Sequence, residues 1–373
     1  MTLLEDAHAA HGATFGSVGG RRVARDYGRP ERTHHAVRNG VGLTEMPYGV
    51  LVVAGDDRVD YVDNVVSNAV PREDGQGRYA LLLDPQGRVE TDMYVYNAGE
   101  RLLLFTPPGE ARPLAEEWRE KVFIEDVDIS VATEDFGVFG VHGPKATEKV
   151  ASVLNNAGAP DGHLSFTRGK ISEVGVTVVR TDSPTGEEGY EVVCTTGETD
   201  DEAGRPQSNV ELVFDTLLTR GLNAVPFGRR TWETLTLEAG TPLFEFELAG
   251  ELPNDLGVRN ALDFEKGCYV GQEVVSRVEN RGQPSQRLVG LLPAAVPERE
   301  AAVFAGDEAV GEVTRAVESP TRGEPAALAL LDGDVAPGDE VQVRVDGEDV
   351  PATVVELPLV EGSDRSARTP RYE

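Results

Sequence analysis

Four segments carry residue types that could do chemistry. The densest is Lys266-Gly267-Cys268-Tyr269-Val270-Gly271-Gln272-Glu273, followed by Arg277 and by Arg281-Gly282. Two glycines bracket a lone thiol, with cations on both sides. Glycine allows a tight turn and close approach of a ligand to the backbone. A neighbouring Lys or Arg favours thiolate over thiol, which is what makes a cysteine reactive. The competing reading, a small buried hydrophobe, sits poorly with so many polar neighbours. The other cysteine, Cys194, ends the apolar run Tyr190–Cys194 and reads as strand core. With two cysteines, a disulfide framework and an all-cysteine zinc site are both excluded.

The second segment is Thr91-Asp92-Met93-Tyr94-Val95-Tyr96. Asp92 opens an apolar strand, where partial desolvation would raise its pKa toward acid–base use; a turn-capping aspartate is the plainer reading. The third is Thr185-Gly186-Glu187-Glu188-Gly189-Tyr190-Glu191. It reads as an exposed hairpin, or as a source of a carboxylate that accepts paired N–H donors from a heterocycle. The fourth, His34-His35, reads as the polar start of a helix. Adjacent residues rarely point at one metal, so no metal site is expected. Phosphate-binding, dinucleotide-binding, zincin and nucleophile-elbow motifs are absent.

The elements that must position these residues alternate irregularly. Strands are expected at Val50–Ala54, Tyr79–Leu83, Val89–Tyr96, Leu102–Phe105, Val127–Thr133, Phe136–His142, Val174–Arg180 and Gly189–Cys194. Helices are expected at Arg58–Asn68, Ala111–Lys121, Lys145–Asn155, Asn209–Arg220 and Thr231–Ala239. Asp84-Pro85-Gln86-Gly87 makes Tyr79–Tyr96 a hairpin. Glu198–Ser208 reads as a solvated acidic loop and Arg281–Ser285 as a linker. From Gln286 to Leu359, short strands with frequent Gly and Asp turns suggest a small all-β barrel or sandwich. The tail beyond Glu361 reads as polar and frayed. The fold class is therefore α+β, with a body over residues 1–280, an all-β domain over 286–360 and a tail over 361–373.

The 373 residues hold 65 Asp+Glu against 35 Lys+Arg, a formal charge of −30. Such a surface repels phosphate backbones and anionic headgroups, so neither nucleic acid nor a membrane is an expected partner. Lysine supplies only five of the cations and arginine thirty. Acid excess with few lysines points to a high-salt cytoplasm, where screening removes self-repulsion. No run approaches the ~20 apolar residues of a membrane span, and the acidic N-terminus lacks the pattern of a signal peptide. A soluble, cytoplasmic protein is expected.

Taken in order along the chain, these segments resemble the superfamily of the glycine-cleavage T-protein (aminomethyltransferase) and the YgfZ-type folate-binding proteins. The resemblance rests on His35-Ala36-Val37-Arg38, Tyr79 and Asp92 flanking Gly87-Arg88, Val141–Ala146, Thr185–Glu191, Leu237–Gly240 and Gly311–Thr314 with Ser319-Pro320. It implies a folate-binding body of two lobes and a C-terminal β-barrel. It further implies tetrahydrofolate as the cofactor, with Tyr79, Asp92 and Glu191 as folate contacts and Asp92 as the catalytic carboxylate. In T-proteins that aspartate assists the folate N5 nitrogen as it attacks an aminomethyl group on a lipoyl carrier protein. Lys266–Glu273 is instead similar to the hallmark of the YgfZ branch, implicated in maintaining iron–sulfur enzymes. Under that likeness Cys268 is the functional residue, supported by Lys266, Gly267, Tyr269, Gly271, Gln272, Glu273 and Arg277, and the partners are iron–sulfur client enzymes. The YgfZ-like role is the expected one; an aminomethyltransferase and a scaffold that has lost folate are its alternatives. Two positions depart from the family pattern: its arginine before Leu237–Gly240 falls at Trp232, and its tyrosine before Thr185 falls at Pro184.

Overall fold

The computed structural model describes residues 2–200, 204, 206–281 and 284–372. They form two compact units. The first comprises Met1–Ala80, Met93–Ser183 and Glu188–Trp232; the second comprises Leu81–Asp92, Pro184–Glu187 and Glu233–Glu373.

The first unit is built on a seven-stranded sheet. Its order is Leu154–Asn155, Phe166–Ile171, Val174–Arg180, Gly189–Thr195, Phe136–His142, Gly42–Glu45 and Val225–Pro226. All neighbours are antiparallel except the last pair. Alternation along Gly189–Thr195 sends Tyr190, Val192 and Cys194 into one core with helices Ala146–Val153 and Asn209–Thr219. Glu191 and Val193 therefore face the opposite side of the sheet. Helix Ala111–Lys121 forms as its apolar spacing predicts, burying Leu114, Ala115 and Trp118, while Arg119 and Lys121 complement the negative end of the helix dipole at its last turn. A five-stranded sheet has the order Gln76–Leu83, Val89–Asn97, Arg101–Thr106, Gly49–Ala54 and Asp128–Val131. The tip of its first hairpin belongs to the second unit.

The second unit holds a closed six-stranded barrel, in the order Gln286–Pro293, Glu324–Asp332, Glu308–Ser319, Ala302–Ala305, Glu340–Val345 and Glu348–Val355. Closure pairs the last strand with the first and leaves no free edge. Val289, Leu291, Val313, Leu331, Val343 and Val354 fill its interior. The mixed body and the all-β barrel bear out the α+β expectation.

Three local expectations are corrected, and a fourth lies partly outside the described residues. Glu198–Ser208 is not wholly loop: Glu198–Asp200 pairs with Pro206–Ser208, since backbone hydrogen bonds can order a segment that has no core to contribute. His34 and His35 lie within helix Pro30–Arg38, which starts at Pro30, a residue suited to a first turn where no N–H is needed. The tail is packed, not frayed: Ser363, Ser366 and Arg368 are buried. Its serine and threonine side chains bond backbone carbonyls, which no apolar pattern announces. The expected linker Arg281–Ser285 lies partly outside the described residues, and Arg281 itself closes helix Gln272–Arg281.

Candidate functional site

In the first unit, Glu191 is central. It pairs in register with Val179 on one side and Gly140 on the other, and its side chain is 2% exposed. Tyr48 donates its hydroxyl to Glu191 Oε1 at 2.7 Å. Burial, with the nearby Glu191 charge next, pushes the Tyr48 hydroxyl well above its ordinary pKa, so it stays a donor. The Tyr48 ring stacks on Phe105 at 5.5 Å and meets Tyr94 edge-on at 6.1 Å. Tyr79 follows at 5.2 Å from Tyr94, and Tyr94 donates to Asp182 Oδ1 at 2.9 Å. Tyr79 is fixed from behind by Asn68, whose amide donates to the Tyr79 carbonyl at 2.9 Å. The first unit thus joins Tyr79 and Glu191 through Tyr94, which lies in the Thr91–Tyr96 segment, and Tyr48, which lies in none of the four. Tyr94 was legible in principle, two residues beyond Asp92 at strand period; Tyr48 lies in a loop with no local signal.

A cluster of rings beside a buried carboxylate suits a flat heterocycle with N–H donors. The wall nearby differs from the family pattern. Trp232 packs its indole 5.2 Å from the ring of His142. His142 is fully buried, and burial lowers its pKa to about 3, leaving it neutral. An uncharged aromatic pair therefore stands where the resemblance puts an arginine.

The second unit holds Asp92 and Cys268. Asp92 is 7% exposed, and Arg368 Nη1 lies 3.9 Å from its Oδ2. The hairpin that leads to Asp92 is docked firmly. Asp84 accepts the N–H groups of Gln86 and Arg88 at 2.8 and 2.9 Å. Val89 N donates to the Glu251 carbonyl, and Gly250 N donates to that of Val89. Gly271 packs on the same turn with φ +80°, and a Cβ there would lie 2.7 Å from the Asp84 oxygen. Cys268 is exposed. Its neighbour Tyr269 is buried at 7%, and Lys266 Nζ stands 5.6 Å above that ring. Gln272 bonds the Lys266 carbonyl at 3.4 Å, Glu273 opens the following helix, and Gly267 and Arg277 are exposed. Of the motif, then, Tyr269 and Gly271 build the loop and Cys268 is left in solvent.

The chain matches the GCVT N-terminal domain family over residues 4–266 and the glycine cleavage T-protein C-terminal barrel domain over residues 286–361. It belongs to the glycine-cleavage T-protein family. Among its relatives in that family, the aminomethyltransferase of Saccharopolyspora erythraea is 30% identical over 369 residues, spanning 96% of this chain and 97% of the relative. That of Streptomyces coelicolor is 30% identical over 371 residues, spanning 96% of each. The glycine cleavage system aminomethyltransferase T of Bartonella henselae shares the T-protein fold with a TM-score of 0.80 at 21% identity, covering 97% of this chain and 98% of its own. Among the described residues no helix is long and apolar enough to cross a membrane, and no group of three or more His, Cys, Asp or Glu is placed to hold a metal.

Proposed function

We propose that this T-protein family member is an aminomethyltransferase, moving a one-carbon unit from an aminomethyl-lipoyl carrier protein to tetrahydrofolate with release of ammonia. This reverses the order expected from Lys266–Glu273, because the full-length relatives bear the aminomethyltransferase name. The observation that carries the reading is Asp92, a buried carboxylate with a buried cation beside it. Folate, when bound, supplies the nucleophilic nitrogen. Tyr79 and Glu191 bind and orient it; Tyr48 holds Glu191 in place. Asp92 supplies a fixed negative charge where positive charge develops, which is worth most in a site screened from water. The test is ammonia release from an aminomethylated lipoyl carrier, dependent on tetrahydrofolate and run in molar KCl. Turnover in wild type that is lost in Asp92→Ala and kept in Cys268→Ala supports the reading. Wild type that binds reduced folate without turnover overturns it, and failure to bind reduced folate at all would mark a scaffold.

One observation favours the YgfZ-like reading: Cys268 is exposed within its complete motif. On that reading, growth supported by iron–sulfur enzymes depends on Cys268 and not on Asp92. The charge of −30 with five lysines supports function in a salty cytoplasm. A boundary between residues 280 and 286 separates the body from the barrel in chain order on this proposal.

A further inference from the structure

We propose that Arg368 is a positioning residue for Asp92, and that the C-terminal segment 361–372 is the strap that brings it there. The inference rests on Asp92 being the reacting carboxylate.

Arg368 is 5% exposed and Asp92 7%. A guanidinium is almost never buried unless paired, because taking its charge out of water is costly. At 3.9 Å the pair is electrostatic, not a hydrogen bond. The guanidinium's fixed positive charge, acting over that distance, favours the rotation of the carboxylate that keeps Oδ2 toward it. The side chain has little freedom to leave, because the backbone on both sides of it is anchored. Before it, Arg365 N donates to the Gly186 carbonyl at 3.1 Å, and the Ser366 hydroxyl accepts from Thr241 at 2.7 Å. After it, the Thr369 hydroxyl bonds the Ala239 carbonyl at 3.2 Å. Arg371 N then donates to the Gly257 carbonyl at 3.0 Å, and the Tyr372 hydroxyl to that of Asp255 at 2.7 Å. The track itself is cut for the strap. Gly186 has φ +82°, and a Cβ there would meet the Ser363 oxygen at 2.3 Å. The turn Thr185–Glu187 thus makes room for the chain that carries Arg368.

The experiment measures turnover, reduced-folate affinity and thermal melting for Arg368→Ala, Arg368→Lys, Arg371→Ala and Asp92→Ala. A carboxylate left free to move should cost about 100-fold in kcat in Arg368→Ala, the scale of an ångström's misplacement, with folate affinity within about threefold of wild type. Added guanidinium should recover part of that loss, which a purely structural defect would not show. Arg368→Lys keeps the charge without the planar fork; it should fall about tenfold, and it decides the matter if the alanine variant does not fold. Arg371→Ala, exposed and bonded through its backbone, should behave as wild type. Wild-type turnover in Arg368→Ala or Arg368→Lys beside an inactive Asp92→Ala overturns this inference alone. So does a loss that tracks melting and ignores guanidinium. An inactive wild type, or full turnover in Asp92→Ala, overturns the reading of Asp92 and this inference with it.

Discussion

The stretches Thr185–Glu191 and Lys266–Glu273 look equally chemical as strings of residues, yet folding treats them in opposite ways. In the first, the strand carries Glu191 into the interior, where Tyr48 holds it. In the second, Tyr269 and Gly271 make the packing contacts and Cys268 is left exposed. A dense motif can record how tightly a loop must pack as much as what chemistry it does. Glycine is needed at 271 because φ is positive and the Asp84 carbonyl lies where a Cβ would go. The thiol itself takes no part in that packing.

Reduced-folate affinity should divide the two stretches most sharply. Glu191→Ala strips the buried Tyr48 hydroxyl of its acceptor and, on the proposed function, removes the partner of the pterin N–H groups. Charge-assisted hydrogen bonds are worth roughly 1.5–3 kcal/mol, so reduced-folate affinity measured by calorimetry should fall by at least about tenfold. Cys268→Ala should leave the same affinity within about twofold. An equal loss in both would erase the distinction.

A smaller effect refines it. Tyr48→Phe keeps the ring on Phe105 and removes one hydrogen bond to Glu191. It should lower stability in urea by about 1 kcal/mol, while any change at Val270, exposed beside Cys268, should stay within about 0.5 kcal/mol.

The pH dependence of stability offers a third comparison. His142 has a folded pKa of about 3 against an ordinary value of 6.5, lowered by burial. The unfolded chain therefore binds its proton first as pH falls. The stability tied to neutral His142 is complete above pH 6.5 and is lost progressively as pH falls toward 3. Between pH 6.5 and 5, wild type should lose up to about 1.4 kcal/mol per pH unit more than His142→Leu. Parallel urea curves for the two proteins across that range would refute the assignment.

The smallest signal is chemical. A disulfide reagent at pH 8 should label Cys268 in the native protein within minutes. Cys194, whose thiol burial pushes up to about 12, should react only after unfolding. Equal labelling of both would mean the core around Cys194 opens far more readily than its packing implies.

Much of the scaffold was legible because strand and helix periods are local. Phe136–His142, Ala111–Lys121 and the hairpin at Asp84–Gly87 appear where their patterns put them. The buried Cys194 was legible too, from its place in an apolar strand. The tail was misread because its contacts are polar. Buried serines such as Ser363 and Ser366 look, in sequence, the same as solvated ones.

The sequence by itself determined the alternation of strands and helices, the all-β character beyond Gln286 and the charge of −30, while the resemblance of its ordered motifs to a known family marked Asp92, Tyr79 and Glu191. These follow from periodicity, composition and ordered motifs, which are properties of neighbours along the chain. Only the tertiary structure decided that Tyr48 serves Glu191 across 143 positions of sequence. It alone sets Trp232 against His142, leaves Cys268 in solvent, and brings Arg368 to Asp92. Those pairings depend on which distant backbones share a sheet, a turn or a strap, and side-chain electrostatics acts through space, not along the chain.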